Sequence, residues 1–244
     1  WLYGFFFVSM VIKVILVYIL SRETSVGVRR MEETRGKSIL HNLWDSRHVL
    51  SKMLKSRRVM LTIAFIACFT GLKGINDTFW PLLVTGKLGI EAENLSIFST
   101  IKTFLMLGSY VFLIPRLNLK RFKNPIGLGL ILFMVQAVCM LLMPKGVLGF
   151  VLATVLLEGA ALSLLIPFAN GLQMVNIDRE ERARMLAFFY AISMLITSPL
   201  STVAGILADI NASLPFAMIF GLAAIAFVLM RKLWTMDQAQ GITE

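Results

Sequence analysis

Residues 115–170 read PRLNLKRFKNPIGLGLILFMVQAVCMLLMPKGVLGFVLATVLLEGAALSLLIPFAN. Two apolar runs, 126–143 and 147–170, are separated by a turn whose only charge is Lys145 and preceded by a loop carrying Arg116, Lys120, Arg121 and Lys123. Each run is near the roughly 20 residues that a helix needs to cross the hydrocarbon of a bilayer. Both are too long and too continuous for barrel strands, and backbone groups in lipid must be satisfied within the segment, which leaves helices. The segment is therefore a membrane hairpin with a basic side and a nearly uncharged side.

The same pattern extends in both directions. Further apolar stretches occupy 1–20, 59–83, 96–115, 185–208 and 215–230, so the expected fold class is an all-α polytopic membrane bundle of seven transmembrane helices. Segment 21–58 carries ten basic residues, 116–124 four, 176–184 three and the tail from Arg231 two. Those nineteen of twenty-four fall in alternate loops, opposed only by Lys87 and Lys145, while Lys13, Lys73 and Lys102 lie within spans. The positive-inside rule makes the basic loops and the tail cytoplasmic and places Trp1 at the outer side, in a plasma or inner membrane. Topology accounts for the net charge of +10, so no nucleic-acid partner is inferred from it.

Composition excludes several classes. With 57% hydrophobic and 16% charged residues, no water-soluble core could absorb the apolar surface. Cys68 and Cys139 both fall inside spans, and His41 and His48 lack companion ligands, so neither a disulfide nor a metal site is expected. No Walker motif is present, and no His or Cys stands at catalytic spacing within the spans; no enzyme and no cofactor are expected. The loop 21–58 ends in a stretch where Leu40, Leu43, Trp44, Val49, Leu50, Met53 and Leu54 recur at helical spacing among Arg47, Lys52, Lys55, Arg57 and Arg58. An amphipathic helix on an anionic inner leaflet is expected there.

Polarity divides the six spans after this loop. Spans 126–143 and 215–230 hold no charge and only Gln136 as a strongly polar side chain, and are expected to face lipid. The other four carry polar stripes: Thr70, Lys73, Asn76, Asp77 and Trp80; Ser99, Lys102, Thr103, Ser109 and Tyr110; Thr154 and Glu158; Tyr190, Ser193, Thr197 and Ser201. Four striped helices flanked by two plain ones are expected to enclose a polar path.

This layout resembles the C-terminal half of a major facilitator superfamily transporter, preceded by the last helix of the N-terminal half and the long central loop. The resemblance is carried by NIDREERARMLAFFYAISMLITSPLSTVAGILAD (176–209), with an acidic and Arg-rich turn before a helix holding Pro199 and Gly205, by PRLNLKRFKNP (115–125), and by WPLLVTGKLGIEAE (80–93). The loop 115–123 lacks the Asp-Arg pair and second Gly of the family's full loop motif, and Lys13 departs from the usual apolar helix six. The resemblance implies that 1–20 is the last helix of an N-terminal bundle, 21–58 a cytoplasmic central loop, 59–233 a six-helix bundle and 234–244 a cytoplasmic tail. It implies a missing N-terminal half as partner, in keeping with a chain that opens on Trp1 in apolar sequence. It also implies a solute bound between the halves near mid-membrane, moved by alternating access.

An ionised side chain at a helix centre costs at least about 2.5 to 3.5 kcal/mol, so charges within spans call for an explanation. Glu158 stands near the midplane with no basic residue one turn away; there a carboxyl that alternates in exposure can take and release a proton, or bind a substrate cation. Lys73 and Asp77 are four apart on one face and can pair. Lys102 can attract an anionic substrate, partner Asp77 or Glu158, or snorkel outward. These four are the expected substrate and proton-coupling residues; Asn76, Trp80, Tyr110, Tyr190, Ser193 and Thr197 are the expected cavity lining. A cytoplasmic gate is expected from Asp178, Arg179, Glu181 and Arg182 with Arg116 and Arg121. The expected partners are a small solute, protons and the bilayer. A seven-helix receptor also fits the span count, though the long loop after the first span and the absence of an outer domain speak for the transporter.

Overall fold

The computed structural model describes residues 2–20, 28, 51, 53–117, 123–143, 147–175 and 182–239. Its long helices are α1 (Leu2–Leu20), α2 (Arg57–Leu82), α3 (Ala92–Gly108), α4 (Lys123–Leu142), α5 (Leu148–Val175), α6 (Arg182–Ile210) and α7 (Leu214–Ala239). Among the described residues there is no strand. Six helices, α2 to α7 with their flanking turns, are long and apolar enough to cross a membrane. The architecture is that of a polytopic helical membrane protein.

The chain divides into two compact units, Trp1–His48 and Val49–Glu244. In the first, α1 is apolar apart from Lys13 and Ser9, and its residues from Gly4 to Leu20 are all exposed. Such a helix has no seam to bury and suits lipid contact. Its apolar stretch Gly4–Leu20 is shorter than the six others.

The second unit holds the bundle. Ser56 caps α2, its side-chain oxygen accepting from the Val59 N–H at 3.4 Å. Near the other end Pro81 has no N–H to donate, and the helix widens into a π turn at Leu83–Lys87 before Gly89, at φ +68°, ends it. α3 ends in a similar way, through a π turn at Ser109–Leu113 and a 3-10 turn at Ile114–Arg116. α7 runs on to Ala239, so the stretch 234–239 is helical. Of the amphipathic stretch expected before α2, Met53 is buried with Val59 and Ile63 of α2 and Met185 and Phe189 of α6, while Leu54 and Lys55 are exposed. The remainder, 40–50 with Lys52, lies outside the described residues.

Packing differs from the expectation for the plain spans. The striped helices α2 and α5 are the most buried, and α4 and α7 each bury one face, α4 against α5 and α7 and α7 also against α2, while Leu128, Ile131, Phe220 and Ile225 on their other faces stay exposed. Phe133, Ala137 and Met140 of α4 meet a core that includes Phe216, Ile219, Ala223 and Ala226 of α7. The striped helices α3 and α6 bury almost none of their apolar windows; α3 packs chiefly on α5 and α6 chiefly on α2. The plain helices contribute to the core because, within lipid, association rests on close van der Waals packing, which small and apolar side chains provide. Gly129 shows how close: a Cβ there would stand 2.7 Å from Leu165 Cγ and 3.2 Å from the Ala161 carbonyl oxygen. α3 and α6 instead turn Phe104, Leu107, Met194 and Leu195 outward beside their polar residues.

Candidate functional site

Three helices bring polar side chains to one depth. The connection 88–91 between the π turn of α2 and the start of α3 is too short to recross a bilayer, as is 143–147 between α4 and α5. The ends at Lys87, Ala92, Leu142 and Leu148 therefore share one side. Lys102 lies ten residues from Ala92, Glu158 ten from Leu148 and Asn76 eleven from Lys87. At 1.5 Å per residue each is about 15 Å deep, half of a hydrocarbon thickness of about 30 Å.

At that depth Lys102 Nζ of α3 donates to Glu158 Oε1 of α5 at 2.8 Å. The carboxylate is 1% exposed and the lysine 24%, so the negative partner is enclosed and the positive one reaches it from the rim. Gly159 makes the approach possible, since a Cβ there would meet Leu105 Cδ2 at 3.0 Å and Lys102 Cγ at 3.4 Å. One turn before Glu158, Thr154 is buried and gives its hydroxyl proton to the Val151 carbonyl, leaving the carboxylate to Lys102.

Asn76 is itself buried, and its Oδ1 accepts from Gln136 Nε2 of α4 at 3.1 Å. Gln136 Oε1 is buried without a partner. Beside this buried row, Lys73 and Asp77 pair across one helical turn at 2.5 Å, with 39% and 42% of their side chains exposed. The polar residues of α2, α3, α4 and α5 thus form three pairs, an exposed ion pair, a half-enclosed ion pair and a buried amide pair, which together make up the polar cluster.

Of the residues the sequence pointed to, the structure pairs Lys73 with Asp77 and Lys102 with Glu158, and Asn76 with Gln136. Gln136 was read as an isolated polar residue on a lipid-facing helix; it belongs to the cluster. Its signal was that one primary amide within 126–143 has no polar neighbour on its own helix. Trp80 lies elsewhere, 7% exposed in the apolar core with Phe98 edge-on at 6.2 Å, and so packs rather than lines a cavity. Tyr110 is half-buried in the π turn of α3. On α6, Tyr190 is exposed, Ser193 is buried with its hydroxyl unpaired, and Thr197 packs where a Cβ on Gly71 would come within 3.5 Å. These α6 residues belong to the helix that packs on α2 rather than to the cluster.

Of the expected gate, Arg116 is exposed at the end of its 3-10 turn. Arg182 begins α6, while Asp178, Arg179, Glu181 and Arg121 lie outside the described residues. No group of three or more His, Cys, Asp or Glu capable of holding a metal ion occurs among the described residues. On the side of Lys87, that lysine donates to Ser213 Oγ at 2.6 Å and ties the end of α2 to the turn between α6 and α7.

No family model matches the chain, and neither a curated protein nor a solved structure matches it.

Proposed function

We propose that the chain forms the C-terminal six-helix bundle, with the helix before it, of a major facilitator-type secondary transporter that moves a small solute by alternating access coupled to protons. The observation that carries this reading is the Lys102–Glu158 pair, enclosed at mid-depth between two helices able to cross a membrane. A structural cross-link would be served as well by apolar side chains, and a buried ion pair gives little net stability. Its distinctive property is that it opens when its charge balance changes. A proton placed on Glu158 removes the charge that holds Lys102, and α3, which packs chiefly on α5, then loses its ion pair to that helix.

Further support lies in the exposure of α3 and α6, whose polar stripes stand ready to border a solute path shared with another half. The segments 80–93, 115–125 and 176–209 carry the family resemblance, and the alternating basic loops orient the bundle with Lys87 and Lys145 outside. The partners of the reading are the solute, protons, lipid and an N-terminal half; no cofactor is required.

The test uses the full-length protein in proteoliposomes under an imposed proton gradient, with a panel of labelled sugars, organic anions, amino acids and organic cations. The wild type accumulates one class. Glu158→Gln abolishes gradient-driven accumulation and spares solute exchange. Accumulation of none of the four classes, or unchanged pH-dependent uptake by Glu158→Gln, would overturn the coupling role.

A further inference from the structure

Away from its helix ends the bundle carries four charged residues among those described, in two pairs of different build. Lys73 and Asp77 neutralise each other on one helix, and their side chains are exposed to nearly the same degree, 39% and 42%. A solute arriving there meets both signs at once. Lys102 and Glu158 are unequal, the carboxylate 1% exposed and the lysine 24%. We infer that Lys102 is the group that receives the solute, and that the solute is a small organic monoanion, a carboxylate on a short apolar body.

The donors of the lysine point to an anion. An ammonium has three protons to give. One goes to Glu158 Oε1 at 2.8 Å, and the other two have no partner among the described residues. The α5 side of the pair is closed, since a Cβ on Gly159 would already meet Lys102 Cγ at 3.4 Å and Leu105 Cδ2 at 3.0 Å. The two remaining protons are therefore offered on the open side of α3, a helix that buries almost none of its apolar window. A cationic solute has no such access to Glu158, because Lys102 covers it.

The neighbours on α3 set the kind of anion. Ser99, one turn toward Ala92 and exposed, gives its hydroxyl proton to no described residue and adds a donor to those of Lys102. Thr103 adds none, as its proton goes to the Ser99 carbonyl at 2.8 Å. On the same strip, Met106 follows Lys102 by one turn and Leu95 precedes Ser99 by one turn, both partly buried and apolar. One cation and one hydroxyl between apolar neighbours suit a single negative charge on an apolar body. A second charge would stay unpaired at a depth where that is costly. Solute and Glu158 thus compete for one ammonium, and whatever neutralises Glu158 frees Lys102 for the anion.

The inference rests on the transporter reading in one respect, that a solute reaches the open side of α3, and equilibrium binding to the purified full-length protein in detergent separates the two. The probes are butanoate, its neutral analogue butanamide, its cationic analogue butylamine and the dianion succinate, at constant ionic strength, with the rise in unfolding midpoint against concentration as the readout. Butanoate raises the midpoint and the other three do not. Glu158→Gln removes the competing carboxylate and tightens butanoate binding about tenfold, as one released hydrogen bond to a charged group implies. Lys102→Met made in the Glu158→Gln background, where no charge of the pair is left buried alone, abolishes the butanoate shift. No butanoate shift in wild type or Glu158→Gln, an equal or larger shift with any of the other three probes, or a shift that survives in the double variant overturns this inference and leaves the transporter reading standing. Butanoate binding that depends on Lys102, with no solute class accumulated in proteoliposomes, overturns the transporter reading and leaves the anion site standing.

Discussion

Replacing Lys102 by Met removes the cation from the Glu158 pair while keeping most of the side-chain length. Glu158 is 1% exposed, so water does not take the place of the lost partner. Breaking a buried pair from one side costs about 3 to 5 kcal/mol. Lys102 is 24% exposed and gives up part of its own solvation by pairing, which places the loss near the lower end, about 3 kcal/mol. For a domain of this size that corresponds to a fall of roughly 6 to 12 °C in unfolding midpoint. The partner substitution, Glu158→Gln, removes the charge that needs compensation, so Lys102→Met made in that background costs much less. Thermal unfolding in detergent of wild type, both single variants and the double variant gives the coupling energy directly, expected at about 2 to 3 kcal/mol. Additive losses would refute the claim that the pair at 2.8 Å is a working interaction.

Lys73→Met should cost under about 0.5 kcal/mol in the same assay, because that pair spans one turn of a single helix with some two-fifths of each side chain exposed. Gly129→Ala should destabilise by about 1 to 3 kcal/mol, since its Cβ would press on Leu165 Cγ and the Ala161 backbone. Gly127→Ala is the control and should be much milder, because its nearest contact is the movable Met230 Cε at 3.3 Å. Gly159→Val should drive α3 from α5 and abolish the Lys102–Glu158 coupling energy in a double-mutant cycle, whereas Gly159→Ala, touching the flexible end of Leu105 first, should keep most of it. Ser213→Ala should lower stability by about 1 kcal/mol through loss of the Lys87 hydrogen bond, read in the same melts.

The six long helices were legible because hydrocarbon thickness imposes a length and an apolar composition that no other setting requires. Ends were less legible: α7 passes Arg231 and Lys232 and continues to Ala239, since lysine and arginine mark an interface without terminating a helix. The stripe holding Lys73, Asn76 and Asp77 was read from spacings of three and four, and its internal pair formed as spacing predicted. The partner of Glu158 was one of several open alternatives for Lys102, because a contact between residues 56 apart on different helices follows from packing and from Gly159, not from periodicity. Gln136, and the inner faces of the plain helices, were not foreseen for a related reason. Hydropathy tells which side chains tolerate lipid, but α4 and α7 are smooth enough to pack on their own neighbours, and that choice is made between helices.

Substituted-cysteine labelling at position 77 tests alternating access at this cluster most directly. Asp77 is exposed on the edge of the cluster, and Cys68 and Cys139 are free thiols to be replaced beforehand, along with any others in the full-length protein. With Asp77→Cys, a membrane-impermeant charged thiol reagent should label from either side of sealed membranes, and saturating solute should change the two rates in opposite directions. Labelling from one side only, with a rate that solute leaves unchanged, would contradict an alternating path past Glu158.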